Sequence, residues 1–543
     1  MSQVASAHPA HSPFSVFHHR TFSVLWTATV VSNIGGWMYS AASAWLMTTL
    51  EPSPLAVSLV QVSTSLPTFL FALLAGALAD IVDKRRLLIV MESFILVSSI
   101  ALAILVWLHL ITPGRLLLLT FLIETGAALT APAWQAIVPQ LVPRQDLPEA
   151  VAANSVGVNV SRAVGPALGG VMTVALGITA PFWVNAGSNL GSIGGLLWWR
   201  TPQTGQRRLP TERLASALQS GIRYARYSRH LRATLVRAIG FLLFASAYWA
   251  LLPLVARDRI AGGPRLYGIL LGVIGASAIA GAFALPRLKK GLGPDRLVAA
   301  GAMGTAIALL LFGLARTPAA AIAASVLAGF SWIAVLSSLN VSAQFALPEW
   351  VRGRGLALYL TVFFGTTTLG SVIWGEVAGV AGLPAAHFLA AAGTLLAIPL
   401  TWRWKLQTAL GVDLTPSMSW PVPIVIGHLE NDQGPVMVTV EYRVNPQDRE
   451  AFLTAVQRLN RQRRRDGAYA WGIFEDTAER NRFLETFFVE SWLEHLRQHE
   501  RVTNADRMLQ DHIHRLVQGA PKITHLIAAE PVGESVERTH RPD

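Results

Sequence analysis

The chain has 543 residues, 52% of them hydrophobic and 14% charged, with a formal net charge of +12 and no cysteine. Soluble domains carry roughly 25% charged residues, so this composition is that of a membrane protein, and the absence of cysteine excludes disulfides, thiolate metal sites and thiol catalysis. The cations sit largely in short connections between apolar runs, as positive-inside loops do, so no nucleic acid partner is expected, and no cofactor.

Residues 1–19 are a polar, His-rich tail without the apolar core and cleavage site of a signal peptide. From Phe22 to Trp404, windows of about 20 apolar residues recur roughly twelve times. They fall near 22–48, 54–79, 87–108, 115–138, 150–175 and 180–199, then 232–255, 266–288, 296–315, 317–345, 354–379 and 383–402. The expected fold is therefore an all-α polytopic membrane protein with two six-helix halves, 20–200 and 232–405, joined by a cytoplasmic linker at 201–231. Lys84, Arg85, Arg86, Arg144, Lys289, Lys290, Arg352, Arg354, Arg403 and Lys405 mark the connections on one side, which places both termini in the cytoplasm. The 257–265 loop, with three arginines, departs from that asymmetry. In the linker, the segment from Glu212 to Tyr224 has the pattern of an amphipathic helix on the membrane surface. Val138-Pro139-x-x-Val142 and Leu347-Pro348-x-x-Val351 end spans four and ten alike, a weak internal repeat of the kind transporters show.

Charges inside spans are costly and usually kept for function. Glu124 lies nine positions after Arg115, about 14 Å along a helix, and Arg162 lies about 18 Å into span five, at a similar depth. The expectation is that they pair across a central cavity. Two readings stay open: Glu124 as a proton-coupling carboxylate, or the two as a structural ion pair. Asn33, Gln61, Glu92, Asn154, Asn159, Asn185, Asn189, Asn340, Gln344 and Glu376 are further polar groups in spans. Each alone fits an interhelical hydrogen bond, and together they imply a polar-lined substrate and proton pathway. Trp37, Trp45, Trp134, Trp249 and Trp332 are candidates to line a cavity for aromatic or amphiphilic ligands. Gly76 and Asp80, with Asp83, Lys84, Arg85 and Arg86, join spans two and three, where glycine permits close helix approach and the charges can bridge helix ends. Span five carries Gly165-Pro166-x-x-Gly169-Gly170, suited to bending and tight packing.

After a Pro- and Gly-containing linker at 406–434, residues 435–530 read as a soluble module, and 531–543 as a tail. Val436, Val438, Val440, Tyr442 and Val444 alternate as a half-buried strand. Asn445-Pro446 opens a helix with Phe452, Val456 and Leu459 on its apolar face, and Tyr469–Phe474 and Arg482–Glu490 form a strand pair. Ser491-x-x-Glu494 reads as a capping-box helix start, Thr503 starts another helix, and Lys522–Ala529 is a last strand. The order β-α-β-β-α-β indicates a small ferredoxin-like α+β domain. His495 and His499 stand at i, i+4 spacing, which can hold a metal. With two ligands only, a solvated helix face is the expectation and no metal is assigned. Arg461, Arg463, Arg464 and Arg465 read as a solvated helix end.

On these residues the chain resembles the major facilitator superfamily. Gly76-x-x-x-Asp80 with Lys84-Arg85-Arg86 is similar to its loop-2/3 signature, and Gly165-Pro166-x-x-Gly169-Gly170 to the span-five motif of its antiporters. The run from Trp134 to Gly170 is similar to the enterobactin-exporter-like transmembrane secretion effector branch, over about residues 14–405. The resemblance implies rocker-switch alternating access, proton-driven export of a small organic molecule such as a siderophore or drug, and a bacterial inner-membrane location. It also implies that Asp80 meets the start of span eleven near Arg352 and Arg354. Ile81 and Asp83 depart from the loop signature, and span four carries Glu124 where many proton antiporters have an arginine. The 434–530 module resembles an antibiotic-biosynthesis-monooxygenase-type dimeric α+β barrel, through its element order and Glu490-Ser-Trp-x-x-His495, which implies possible self-association. The expected activity is therefore transport rather than catalysis. The alternative is a membrane-anchored enzyme or ligand sensor acting through the C-terminal domain.

Overall fold

The structure, a computed structural model, describes residues 15–199, 214–407, 413–414, 417 and 433–529. The tails, most of both linkers including Glu212, and the side chains of Asp80 and Arg144 lie outside the described residues.

The chain folds as two units. The first comprises residues 1–212, 234–341 and 357–406. Its first half holds six helices: α1 (Arg20–Leu50), α2 (Pro54–Ile81), α3 (Lys84–Trp107), α4 (Pro113–Leu141), α5 (Leu147–Leu176) and α6 (Ala180–Trp198). After α7 (Leu214–Tyr227) come α8 (Arg229–Leu254), α9 (Pro264–Leu314), α10 (Pro318–Phe345), α11 (Arg352–Ala381) and α12 (Leu383–Thr401). Helix starts follow local chemistry. The side chains of Ser53, Asp83 and Thr112 accept the first free N–H groups of α2, α3 and α4, and Pro stands at the first turn of α2 and α4. α9 is broken at Gly293, whose φ of 71° an L side chain rarely adopts, so the two apolar windows expected there are two helical stretches in series.

Among the described residues, eight helices are long and apolar enough to cross a membrane: α2, α3, α4 and α8 to α12. The helices α1, α5 and α6 match expected spans in length but are less apolar, because they carry much of the Gly, Ser and Asn content and Arg162. Small and polar residues of this kind mark helix–helix contacts in lipid. In agreement with this, α1 packs on α5 and α6, α3 on α6, and α5 on α9.

The second unit gathers residues 213–233, 342–356 and 407–543. Its sheet comprises β1 (Val436–Arg443), β2 (Tyr469–Glu475), β3 (Arg482–Val489) and β4 (Lys522–Ile527), in the order β2-β3-β1-β4 with every pairing antiparallel. The helices are α13 (Arg449–Arg465), α14 (Trp492–Arg501) and α15 (Asn504–His514). The alternation seen in β1 buries Val436, Val438, Val440 and Tyr442 against Phe452, Val456, Leu459, Phe483 and Phe487. Two local expectations are corrected. Asn445 caps a single 3-10 turn (Pro446–Asp448) without a side-chain bond, and α13 starts only at Arg449. At Ser491 only half of the capping box forms, because the Glu494 side chain turns to arginines instead, whereas Thr503 and Asp506 form both halves at α15.

Candidate functional site

The three glycines of the span-five motif are contact points. A Cβ on Gly165 would lie 2.5 Å from Trp37 Cβ, and one on Gly169 would lie 3.0 Å from Met38 Cα, both on α1. On Gly170 it would stand 2.7 Å from the Pro264 carbonyl oxygen and 3.0 Å from Gly268 Cα. Only hydrogen fits these places, so α5 is seated against α1 on one side and against α9 of the other half on the other. Pro166 is buried beside them. Trp45 stacks on Tyr267 (centroids 6.2 Å apart), and an Arg257 N–H donates to the Thr48 carbonyl. The two halves are thus packed together at the rim where α1 ends.

Deeper in the first unit, Glu124 and Arg162 do not pair, contrary to expectation. The Tyr39 hydroxyl of α1 lies beside Thr120 and the Glu124 carboxyl. The Arg162 guanidinium stands over the Trp37 ring at 5.3 Å, with Tyr248 of α8 within electrostatic reach. Tyr248 and Trp249 continue into an aromatic group with Trp332 and Phe363, Trp249 meeting Trp332 edge-on at 5.4 Å and Phe363 lying 6.3 Å from Trp332. Among the described residues, Arg162 Nε, Trp249 Nε1 and the hydroxyls of Tyr39, Thr120 and Tyr248 are buried without a hydrogen-bond partner. Buried polar groups are almost always satisfied, so these atoms on four helices (α1, α4, α5 and α8), with the Tyr39 hydroxyl beside Thr120 and Glu124 and the Tyr248 hydroxyl beside Trp249, are the candidates for a polar site in the helical unit. Tyr39 and Tyr248 were not among the sequence candidates. A tyrosine in an apolar run carries no signal until its hydroxyl is seen to be buried.

The other candidates separate by partner. Asn185 is buried and donates to Ser99 Oγ at 3.0 Å, and Asn189 accepts from Ser32 at 2.8 Å, so both are interhelical bonds. Asn154 accepts from Trp134 Nε1 at 3.2 Å, and Asn159 donates to its own helix at the Ser155 carbonyl. Asn33 and Gln61 are half-buried on α1 and α2, and Asn340, Gln344 and Glu376 are exposed. Glu92 is half-buried on α3, one of its carboxylate oxygens without a partner among the described residues. In the loop motif, Gly76 faces open space, so the close approach expected there is absent. Asp83 instead accepts from the Arg86 N–H at 2.8 Å, and Arg85 donates to the Leu196 and Leu197 carbonyls at 2.8 and 2.9 Å, closing the end of α6.

Residues 11–532 match the family described as transmembrane secretion effector. The chain belongs to that family. As a member of it, the protein is a multi-pass membrane transporter of a small-molecule substrate and not an enzyme, which removes the membrane-anchored enzyme reading. It is 24% identical to the multidrug efflux pump Tap of Mycolicibacterium fortuitum over 66% of this chain and 89% of that protein. It is 24% identical to the staphyloferrin A transporter of Staphylococcus aureus (64% and 87%) and 25% identical to the enterobactin exporter EntS of Escherichia coli (62% and 80%). Among solved structures, a POT family transporter aligns with TM-score 0.58 at 13% identity over 70% of this chain and 95% of that one. A bacterial homolog of the lysosomal transporter Spinster aligns with TM-score 0.54 at 15% identity, over 72% and 94%. These two likenesses establish the transporter fold of the helical part. The family match runs past residue 405, so in this transmembrane secretion effector the C-terminal domain falls inside the family pattern.

Within the second unit that domain is held by α7 and the 346–351 segment. Arg223 of α7 donates to Glu494 Oε1 at 3.0 Å, and Arg501 grips the same carboxylate at 2.5 and 3.2 Å while standing 4.4 Å over the Trp350 ring. The buried Tyr224 hydroxyl donates to the Ala346 carbonyl at 2.9 Å. Burial alone would raise the Glu494 pKa, but Arg501 and Arg223 outweigh it and hold the carboxyl below its ordinary value. Among the described side chains of α7, Tyr224 and Ala225 are buried within this unit while Ile222 is exposed. The arginine run is corrected. Arg463 is buried against Glu485 (3.2 Å), and Arg465 against Asp466 and Asp506 (2.8 and 2.7 Å).

Proposed function

We propose that this transporter exports a small, aromatic or amphiphilic organic molecule bearing an anionic group, in exchange for protons, from the cytoplasm of a bacterial cell across its inner membrane. The observation that carries this reading is Arg162, whose Nε has no partner among the described residues, standing over Trp37 with Tyr248 in electrostatic reach and Trp249 and Trp332 beyond it, and with Glu124 held separately beside Tyr39. A buried cation over an aromatic wall suits a planar anion, which supplies both the charge and the ring face the site lacks. A carboxylate not neutralised by that cation is free to take up a proton when its surroundings change. The substrates in the relatives' names, drugs and iron-chelating siderophores, are of compatible chemistry.

In this reading the chain crosses the bilayer twelve times with both termini cytoplasmic. The 51 residues of α9 reach about 76 Å if straight, far beyond a ~30 Å core, so the break at Gly293 separates two crossings. Asn33, Gln61, Asn154, Asn159, Asn340 and Gln344 line the pathway, with Asn185 as its structural support. Gly165, Pro166, Gly169 and Gly170 form the seam on which the halves rock, and Asp80 with Asp83, Arg85 and Arg86 gates the opposite rim. The C-terminal domain is ferredoxin-like, a reading supported by its antiparallel order β2-β3-β1-β4. It serves as an accessory module, and the exposed Tyr469, Phe474, Ile523 and Leu526 of its edge strands suit self-association.

The test uses inverted vesicles with an acid interior, following proton release as catecholates, carboxylate siderophores and amphiphilic drugs are added. Substrate-induced release is expected, lost in Glu124→Gln. In Arg162→Met, release by anionic compounds is expected to be lost while that by neutral ones survives. Wild-type-like anion-driven release in both variants would refute the assignment.

A further inference from the structure

Away from the transport site, α14 and β4 bring three imidazoles together. His495 and His499 project from one side of α14, with their Nε2 atoms 3.2 Å apart. His525 stands on β4 opposite Val438, on the buried face of the sheet, and its ring centroid lies 4.7 Å from that of His495. One ring nitrogen from each of the three lies within 4.8 Å of the others. His495 is fully buried, and His499 and His525 are half-buried, so the solvated face expected from the sequence is not what forms.

We propose that His495, His499 and His525 bind one first-row divalent transition-metal ion, with zinc the best fit, as a three-imidazole site with at least one position open to solvent.

The fit rests on four points. Zinc–nitrogen bonds of about 2.0–2.1 Å in tetrahedral geometry put ligand nitrogens about 3.3 Å apart, the spacing His495 and His499 already have. The third nitrogen must approach by up to about 1.5 Å, within the swing of one imidazole about its side-chain torsions. The donor set is all nitrogen, which suits zinc, copper, nickel or cobalt and disfavours calcium and magnesium. The site is also enclosed: His495 is fully buried and His499 and His525 are half-buried, so an ion there is held away from bulk water on the side of the sheet. Arg463, whose charge reaches His495, is paired with Glu485 at 3.2 Å. Buried Gln498 lies against His495 and is placed to orient its ring as a metal-bound imidazole requires. Trp492 closes the apolar side, its ring 5.4 Å from His495 and 6.2 Å from His525.

The site is independent of the transport reading, since it lies wholly in the second unit and can be tested without substrate. Full-length protein in detergent is stripped with chelator, dialysed against zinc and analysed for bound metal. Cobalt loading then reports geometry by visible absorption. One zinc per chain and an intense tetrahedral cobalt spectrum are expected, with affinity at least about tenfold weaker in His499→Gln and in His525→Gln. Both substitutions are at half-buried positions, and unchanged melting of the metal-free variants shows that they fold. A zinc-dependent rise in melting temperature in the wild type, absent from both variants, is the second readout. No stoichiometric zinc, or zinc binding indifferent to both substitutions, overturns the proposal. An octahedral cobalt spectrum with wild-type affinity in either variant overturns it equally.

Discussion

Replacing Gly170 by alanine tests the seam between the two halves. A Cβ there meets Pro264 O at 2.7 Å and Gly268 Cα at 3.0 Å, while one on Gly268 would meet Pro166 O at 2.6 Å and Gly170 Cα at 2.9 Å. All four obstacles are backbone atoms, so no side chain can turn aside and the helices α5 and α9 must part by several tenths of an ångström. Overpacking of this kind costs about 1–3 kcal/mol. The cost falls only on the arrangement in which these helices touch, so the population of the parted arrangement should rise about 5- to 150-fold. The assay uses the absence of native cysteine. Thr48 is buried at the same rim, and a Thr48→Cys background gives a single thiol whose maleimide labelling reports how often the rim opens. In detergent, Gly170→Ala should accelerate labelling by at least about fivefold, and adding Gly268→Ala should accelerate it further. Labelling unchanged within twofold, in a variant that still melts like its parent, would refute the claim that this contact holds the rim shut.

Two other expectations follow from the structure. Arg223→Met and Glu494→Gln should each loosen α7 from α14, and their double-mutant cycle should show a coupling of about 1.5–3 kcal/mol by hydrogen exchange in 214–227, the range for a charged hydrogen bond. Because the Glu494 carboxyl is held below its ordinary value by Arg501 and Arg223, with Arg497 also near, this contribution is full above the unfolded pKa of about 4.3 and fades as pH falls through the folded value; protection in α7 that is flat from pH 6 to pH 3 would contradict it. Asp83→Ala should lower the melting temperature by an amount equivalent to about 1 kcal/mol, whereas Asp83→Asn, an equally good cap, should not, which separates helix capping from a charge-based latch.

What could be read from the chain before folding was whatever is local. The alternation from Val436 to Val444 reports one buried face directly, and Val436, Val438, Val440, Tyr442 and Val444 are all in the core, because a two-residue period has only one way to lie on a sheet. Gly165, Gly169 and Gly170 announced close packing, but Gly76, equally glycine, meets nothing: the residue permits an approach and the partner decides it. Long-range pairing was beyond reach. His525 is 30 positions from His495 and signals nothing alone, since only the antiparallel pairing of β4 with β1 turns it toward α14. Similarly, Arg463 and Arg465 looked like a solvated helix end until Glu485, Asp466 and Asp506 were brought to them. The spacing along their helices makes Glu124 and Arg162 seem partners. Depth fixes one coordinate only, and rotation about the helix axes sends them to Tyr39 and to Trp37 instead.

The arginines of this protein make the contrast that weighs most on function. Arg237 has Asp295 at 3.3 Å, Arg463 has Glu485, Arg465 has two aspartates, and Arg501 has Glu494 on both its nitrogens. In each case the cost of removing a cation from water, several kcal/mol, is offset by a carboxylate within bonding distance. Arg162 is half-buried with its Nε fully enclosed, yet its visible compensation is the Trp37 ring, a contact worth about 0.5–2 kcal/mol, and that Nε has no partner among the described residues. Arg259 shares part of this pattern, with a buried Nε lacking a partner and the Gly313 carbonyl as its acceptor, but Arg162 differs in standing over an aromatic ring. In the proposed reading, an anionic substrate held between Trp37 and Tyr248 would supply the countercharge that Arg162 lacks.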